Sequence, residues 1–265
     1  MQHNHQQHQH HPQHQSTNLQ NISFQFQICV GLDETEQAVL YLEQIVNFIE
    51  EYSLDELEMV NRLTKRIVHQ KKKQLNTLIT INEPPIGVAS TTLMSSKEVL
   101  TNYTTYLHNE AISLVIRLLS CINISLSKLT EHRSRTLCYK LLGKIHAFLY
   151  LYDDNDKSSN LQMALKYYQT AIKLCIKHLD ITDQVRMKTY LSYCRFAIVS
   201  LKDYYRAMLF CINAKKEIEK EIEGKENVSK VVFVMLDKYE KFINDNIDIY
   251  NRVMKIYFPE INNYT

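Results

Sequence analysis

Lys65, His69, Lys72 and Asn76 follow one another at steps of four, three and four residues, the spacing that stacks side chains along one face of an α-helix. A row of cations on one face is a surface for anions, because ammonium groups form charge-assisted hydrogen bonds with phosphate and carboxylate oxygens. The apolar stripe Leu57, Val60, Leu63, Ile67, Leu75 and Leu78 lies on the opposite side of the same helix, as a packed amphipathic helix requires. The competing reading is that Lys65, His69, Lys71, Lys72 and Lys73 form an ordinary solvated face. No Gly-rich phosphate loop, HExxH pair, nucleophile elbow or acidic dyad occurs, and neither His69 nor His146 has a nucleophile beside it in sequence. The chain therefore reads as non-catalytic. Six of its eleven histidines fall within the first 14 residues, but without neighbouring carboxylates or thiolates, or a fixed ligand spacing, they do not make a metal site. No metal and no cofactor is expected.

The elements that must position the basic face are helical. Four glycines and four prolines among 265 residues leave too little turn chemistry for a β-rich fold. Ser53 with Glu56 three residues on reads as a capping box at the start of the helix that carries the basic face, and Glu83-Pro84-Pro85 stops it. Before it, Asp33 to Glu51 holds Val39, Leu42, Ile45, Val46 and Ile49 at helical spacing; after it, Ala89 to Ser96 reads as a loop. From Ser134 to Glu217 the pattern stays helical, with Gly143 as the one glycine and no proline. Asp183 and Asp203 stand where N-caps belong, and a last helix over about 229–258 ends before Pro259. Residues 1–27, rich in Gln and His, are expected to be a disordered tail, residues 28–258 an all-α domain, and 259–265 a short terminal tail.

The net charge of +2 provides no field for nucleic acid, and Lys144 and His146 interrupt the greasiest run, so neither nucleic acid nor a membrane is an expected partner. The six cysteines show no CxxC pair and read as small buried hydrophobes in a reducing compartment, the cytoplasm with access to the nucleus. Most of the 17 tyrosines, such as Tyr139, Tyr168 and Tyr193, sit beside apolar residues and read as core aromatics.

Three segments, in order and at matching spacing, resemble the 14-3-3 family: Arg135 to Tyr150 with Asp153-Asp154 after it, Ala164 to Lys173 through Val185-Arg186 to Tyr193, and Tyr205 to Ile218. The resemblance spans roughly 34–246. It implies about nine antiparallel helices in a cup-shaped array, related to tetratricopeptide-type helical hairpins. It also implies an adaptor that dimerises, with itself or with other 14-3-3-like chains, and holds phosphoserine or phosphothreonine peptides in an amphipathic groove. On the family's pattern the phosphate lysine falls on Lys65, the third-helix arginine on Lys72, the fifth-helix arginine on Ala147 and the tyrosine on Phe148. A groove lysine is kept as Lys140, the asparagine that fixes the peptide backbone falls on Ser192, and its carboxy-terminal counterpart falls near Lys241 or Asn244.

Those departures imply an altered phosphate pocket. Lysine lacks the planar fork of a guanidinium, and Ala147 and Phe148 keep no phosphate contact, at about 1.5–3 kcal/mol for each charged hydrogen bond lost. Phosphorylated or acidic segments of protein partners are the expected ligands. Val39, Leu42, Ile45, Val46 and Ile49, with Phe48, are the expected dimer interface, although packing within the chain would explain the same stripe. A tetratricopeptide-like scaffold binding unphosphorylated peptides or helices is the alternative, disfavoured by helices too long for a hairpin of about 34 residues.

Overall fold

The computed structural model describes residues 12–49, 53–82 and 94–257. They form nine α-helices and no strand: α1 Pro12–Gly31, α2 Thr35–Phe48, α3 Leu54–Asn82, α4 Met94–Ser127, α5 His132–Tyr152, α6 Lys157–His178, α7 Gln184–Phe196, α8 Tyr204–Ile222 and α9 Lys230–Tyr257. A π-helical turn, Ala197–Leu201, extends α7. The short connections after α4 make sequential neighbours pack antiparallel, and the all-α expectation holds. The loop expected over 89–96 lies outside the described residues up to 93, and Met94 to Ser96 already belong to α4. The short tail 259–265 and the side chain of Leu78 also lie outside what is described.

One expectation is corrected at the amino end. The disordered tail expected over residues 1–27 does not extend that far: α1 is helical from Pro12, and Ile22, Phe26, Cys29 and Val30 are buried in the core. These apolar side chains recur at steps of four, three and one within a glutamine-rich background; glutamine is a good helix former, so a polar composition hid an amphipathic helix.

The stripe on α2 is corrected as well. Val39, Leu42, Ile45, Val46 and Ile49 are all buried in the protomer's own core, so they have no surface to offer a second subunit. Polar ties complete the packing of the first four helices. Arg117 on α4 grips Glu43 on α2 with two bonds of 2.7 and 2.6 Å, the bidentate geometry only a guanidinium provides. Lys128 Nζ donates to the carbonyls of Val46 and Ile49, both at 2.7 Å, and so satisfies backbone acceptors left open at the end of α2. Lys71, read from sequence as part of a solvated face, is buried and pairs with Glu110 at 2.6 Å and with Glu36 at 3.8 Å. It belongs to the scaffold.

Helix α4 is long and apolar enough to cross a membrane by length and composition. Its Leu114, Val115, Leu118, Cys121 and Ile122 are instead buried against α2, α3 and α5, which is the role of a core helix. All six cysteines are free and buried.

Helix α5 is the centre of the array and touches α3, α4, α6, α7 and the π-helical turn. Its closest approach is to α6. A Cβ built on Gly143 would stand 2.9 Å from the Tyr168 ring, so glycine is what lets this ring lie flat against the α5 backbone. Tyr168 is itself fully buried, stacked on Phe196. Gly143→Ala is expected to lower stability by about 1–3 kcal/mol in urea denaturation, because the ring is hemmed in and cannot swing away. Gly31→Ala, whose added Cβ meets nothing within 4 Å, is the control and should be neutral or stabilising by less than about 1 kcal/mol.

Candidate functional site

The capping box opens α3 as the sequence predicts: Ser53 N donates to Glu56 Oε2 at 2.8 Å, and Glu56 N donates to Ser53 Oγ at 3.3 Å. Asp183 starts α7 by accepting from Val185 N and Arg186 N at 2.7 and 3.4 Å. Together with α5, these two helices carry the walls of a cavity of about 630 Å³. Lys65, His69 and Lys72 on α3, Lys140, Ala147 and Phe148 on α5, and Ser192 on α7 all line it. Six positions assigned by resemblance, scattered over 128 residues of sequence, therefore converge on one concave surface. Lys241 and Asn244 do not line it; α9 contributes Met235 and Lys238 instead.

Within this cavity α3, α5 and α7 run in the same direction, and the register between them follows from their contacts. Lys188 on α7 meets Glu58 on α3 at 3.5 Å, and both lie in the electrostatic field of Lys140 on α5. One to two turns on, Lys65, Lys144 and Arg195 repel one another. Farther along, Tyr152 Oη donates to Asn76 at 3.2 Å, which sets Lys72 level with Ala147 and Phe148. The side chains thus fall into three ranks: Glu58, Lys140 and Lys188; then Lys65, Lys144 and Arg195; then Lys72 with Ala147, Phe148 and Val199. The first two ranks hold five cations and one carboxylate. The third holds one cation among apolar groups.

Charge is costly in the first two ranks. Lys140 is buried, and desolvation, with the fields of Lys65, Lys188 and Lys144, pulls its ammonium down to about 7 against the opposing pull of Glu58. Burial, then Lys65 and Arg195, bring Lys144 down to about 8. Desolvation and the neighbouring Lys188, Lys238 and Arg195 also lower Lys65. Burial acts to raise Glu58, but the hydrogen bond from Asn61 Nδ2 at 2.8 Å and the fields of Lys188, Lys140 and Lys65 outweigh it and hold this carboxylate below its ordinary value. The buried Asn61 Oδ1 has no partner among the described residues. Ser192, at the asparagine position, shares a hydrogen bond of 3.0 Å with Tyr168 Oη, so the ring that Gly143 admits also fixes the α7 side of the cavity.

The sequence matches the family model described as 14-3-3 protein over residues 26–251. The chain belongs to the 14-3-3 family. None of the curated proteins compared matches it. Membership makes it one of a family of non-catalytic, phosphate-binding adaptors. Burial pushes Cys121, Cys138 and Cys175 up to about 12, which keeps them protonated and inert. His146 is packed rather than lining the cavity: its Nδ1 donates to Asn160 Oδ1 at 2.8 Å, and its ring stacks on Tyr167.

Sequence reading missed Lys144, Lys188, Arg195 and Lys238 as cavity residues. The signal was present for three of them. Lys140 and Lys144 stand four apart, and Lys188, Ser192, Arg195 and Val199 recur at steps of four, three and four, one face of a continuous helix.

The buried lysines make a pH signature. Between the folded value of about 7 for Lys140 and the ordinary lysine value near 10.4, the unfolded chain holds a proton that the folded chain lacks, so stability rises with pH across that window. Below about pH 7 both states are protonated and the full cost of the buried charge is present. Urea midpoints should therefore climb from pH 6 to pH 9 in the wild-type chain and climb less in Lys140→Met; equal slopes would count against a buried, depressed Lys140.

Proposed function

We propose that this 14-3-3 chain is an adaptor that holds anionic, phosphorylated segments of partner proteins in the cavity between α3, α5, α7 and α9, with phosphate recognition altered from the family's pattern. The observation that supports this most directly is the amphipathic lining. Lys65, Lys72 and Lys140 face the same space as Leu151, Leu191, Phe196 and Val199; the cations suit phosphate, and the apolar side chains suit the flanking residues of a peptide. The phosphate grip differs because Lys72 supplies a point charge where the family's pattern has a guanidinium, and Ala147 and Phe148 supply no hydrogen bond. The reading as a scaffold for unphosphorylated helices rests on the apolar wall alone, and the density of cations opposes it. Free, buried cysteines support a reducing, cytoplasmic setting with access to the nucleus.

The test is calorimetric titration of a phosphoserine peptide against its unphosphorylated twin. The phosphorylated form should bind at least about tenfold tighter, the value of one charged hydrogen bond, and Lys65→Glu with Lys72→Glu should remove that difference. Equal affinities for the two peptides would reject phosphate reading.

We further propose that two chains pair, as the family resemblance implies, through the apolar surface left over after the core is built. Phe24 on α1 and Phe48 on α2 are 63% and 60% exposed and line the same shallow cleft. Light scattering should give the mass of two chains at micromolar concentration, and Phe24→Asp with Phe48→Asp should give that of one. A wild-type monomer would contradict the proposal.

A further inference from the structure

Most cations of this cavity lie away from the family's phosphate grip, with Lys65 common to both. That grip falls between Lys65 and Lys72 on α3 and Ala147 and Phe148 on α5, and half of it is empty. The greater density of charge lies one to two turns toward the amino ends of α3, α5 and α7: Lys140 and Lys144 on α5, Lys188 and Arg195 on α7 and Lys65 on α3 line the same space, together with Lys238 on α9. Among the described residues Glu58 is the carboxylate that acts on both Lys65 and Lys140, and it is already engaged by Lys188 and Asn61. Six cations facing one engaged carboxylate repel one another, and a bound anion removes that repulsion.

We infer that the anion-binding centre of this cavity is displaced from the Lys72 end to the rank formed by Lys65, Lys144 and Arg195, with Lys140, Lys188 and Lys238 around it, and that its ligand is a peptide segment carrying two phosphorylated side chains two residues apart. This rests on the adaptor reading and specifies its ligand. The number of phosphates follows from charge: with Lys140 drawn down to about 7 and so about half protonated at neutral pH, the six basic groups less one carboxylate still leave an excess of roughly +4, and one phosphate group carries about −1.5 to −2, so two are needed to approach balance. Their spacing follows from geometry. Lys140 and Lys144 are separated by one helical turn, about 6 Å, while side chains at alternate positions of an extended peptide lie on one face about 6.5–7 Å apart. Arg195 supplies the planar fork for oxygen pairs of phosphate that the third and fifth helices lack. The π-helical turn directly after α7 places Val199 and Ser200 in the same lining, so the peptide also meets apolar and hydroxyl groups beyond the cations.

The experiment uses the full chain and four forms of one synthetic peptide: unphosphorylated, either single phosphoserine, phosphoserine at both positions, and glutamate at both positions. The doubly phosphorylated form should bind at least about tenfold tighter than either single form, and the glutamate form should bind no better than a single phosphoserine. Lys144→Gln and Arg195→Gln should each weaken the doubly phosphorylated peptide about tenfold or more, whereas Lys72→Gln should cost less than about threefold. Arg195 is exposed in the cavity, so its loss leaves the core intact; Lys238→Gln, also exposed, is a second surface variant expected to weaken binding. Thermal melting verifies that each variant is folded. Several outcomes overturn the inference and leave the adaptor reading standing: a dominant effect of Lys72→Gln, no effect of Lys144→Gln and Arg195→Gln, or equal binding of single and double phosphates. Failure of every phosphorylated peptide to outbind the unphosphorylated one overturns both.

Discussion

Helices α3, α5 and α7 run side by side in the same direction, and for that reason their cations meet rank by rank. Like charges gather inside a protein only where packed backbone holds them there, because each ammonium loses hydration and gains repulsion. The backbone here is held by apolar contact. Gly143 admits the Tyr168 ring against α5, Tyr168 in turn reaches Ser192 on α7, and Tyr239 Oη on α9 donates to the Met187 carbonyl of α7 at 2.8 Å. Four helices, α5, α6, α7 and α9, are thus tied through two buried tyrosines. The cations ride on that frame without having built it, which is why they can be depressed as far as Lys140 and Lys144 are and still be tolerated.

A division of labour follows among the basic residues. Lys71, Arg117 and Lys128 serve the scaffold, each saturated by carboxylates or backbone carbonyls at 2.6–2.7 Å. Lys140 and Lys144 face the cavity, and their neighbours are mostly of the same sign. The difference is visible in direction as well as geometry: the bond to Glu43 raises Arg117, whereas desolvation and like charge lower Lys65, Lys140 and Lys144.

The helical order, the capping box at Ser53 and the caps at Asp183 and Asp203 were legible in the sequence because they are local, set by spacing and by one hydrogen bond within a turn. The convergence of positions 65, 72, 140, 147, 148 and 192 was legible only through family resemblance, since nothing local says that α3, α5 and α7 share a wall. What escaped was of three kinds. Helix α1 hid because its four buried residues are diluted by glutamine, and composition averages over the very face that matters. The stripe on α2 was assigned to a subunit interface because periodicity shows that a face is apolar but not what covers it; the covering turned out to be α1, α3 and α4. Lys144 and Arg195 escaped for a third reason: a resemblance directs attention to the positions its pattern assigns, and neither of these is among them.

The proposed receptor for phosphate is the excess positive charge that Lys65, Lys144 and Arg195 bring together in this cavity. A crystal structure of the chain with the doubly phosphorylated peptide tests it most directly. Phosphate oxygens are expected within about 3 Å of the Lys144 ammonium and the Arg195 guanidinium, with Lys72 making at most one contact. Phosphates gripped by Lys72, or a peptide seated outside the cavity with Lys144 and Arg195 unengaged, would contradict it.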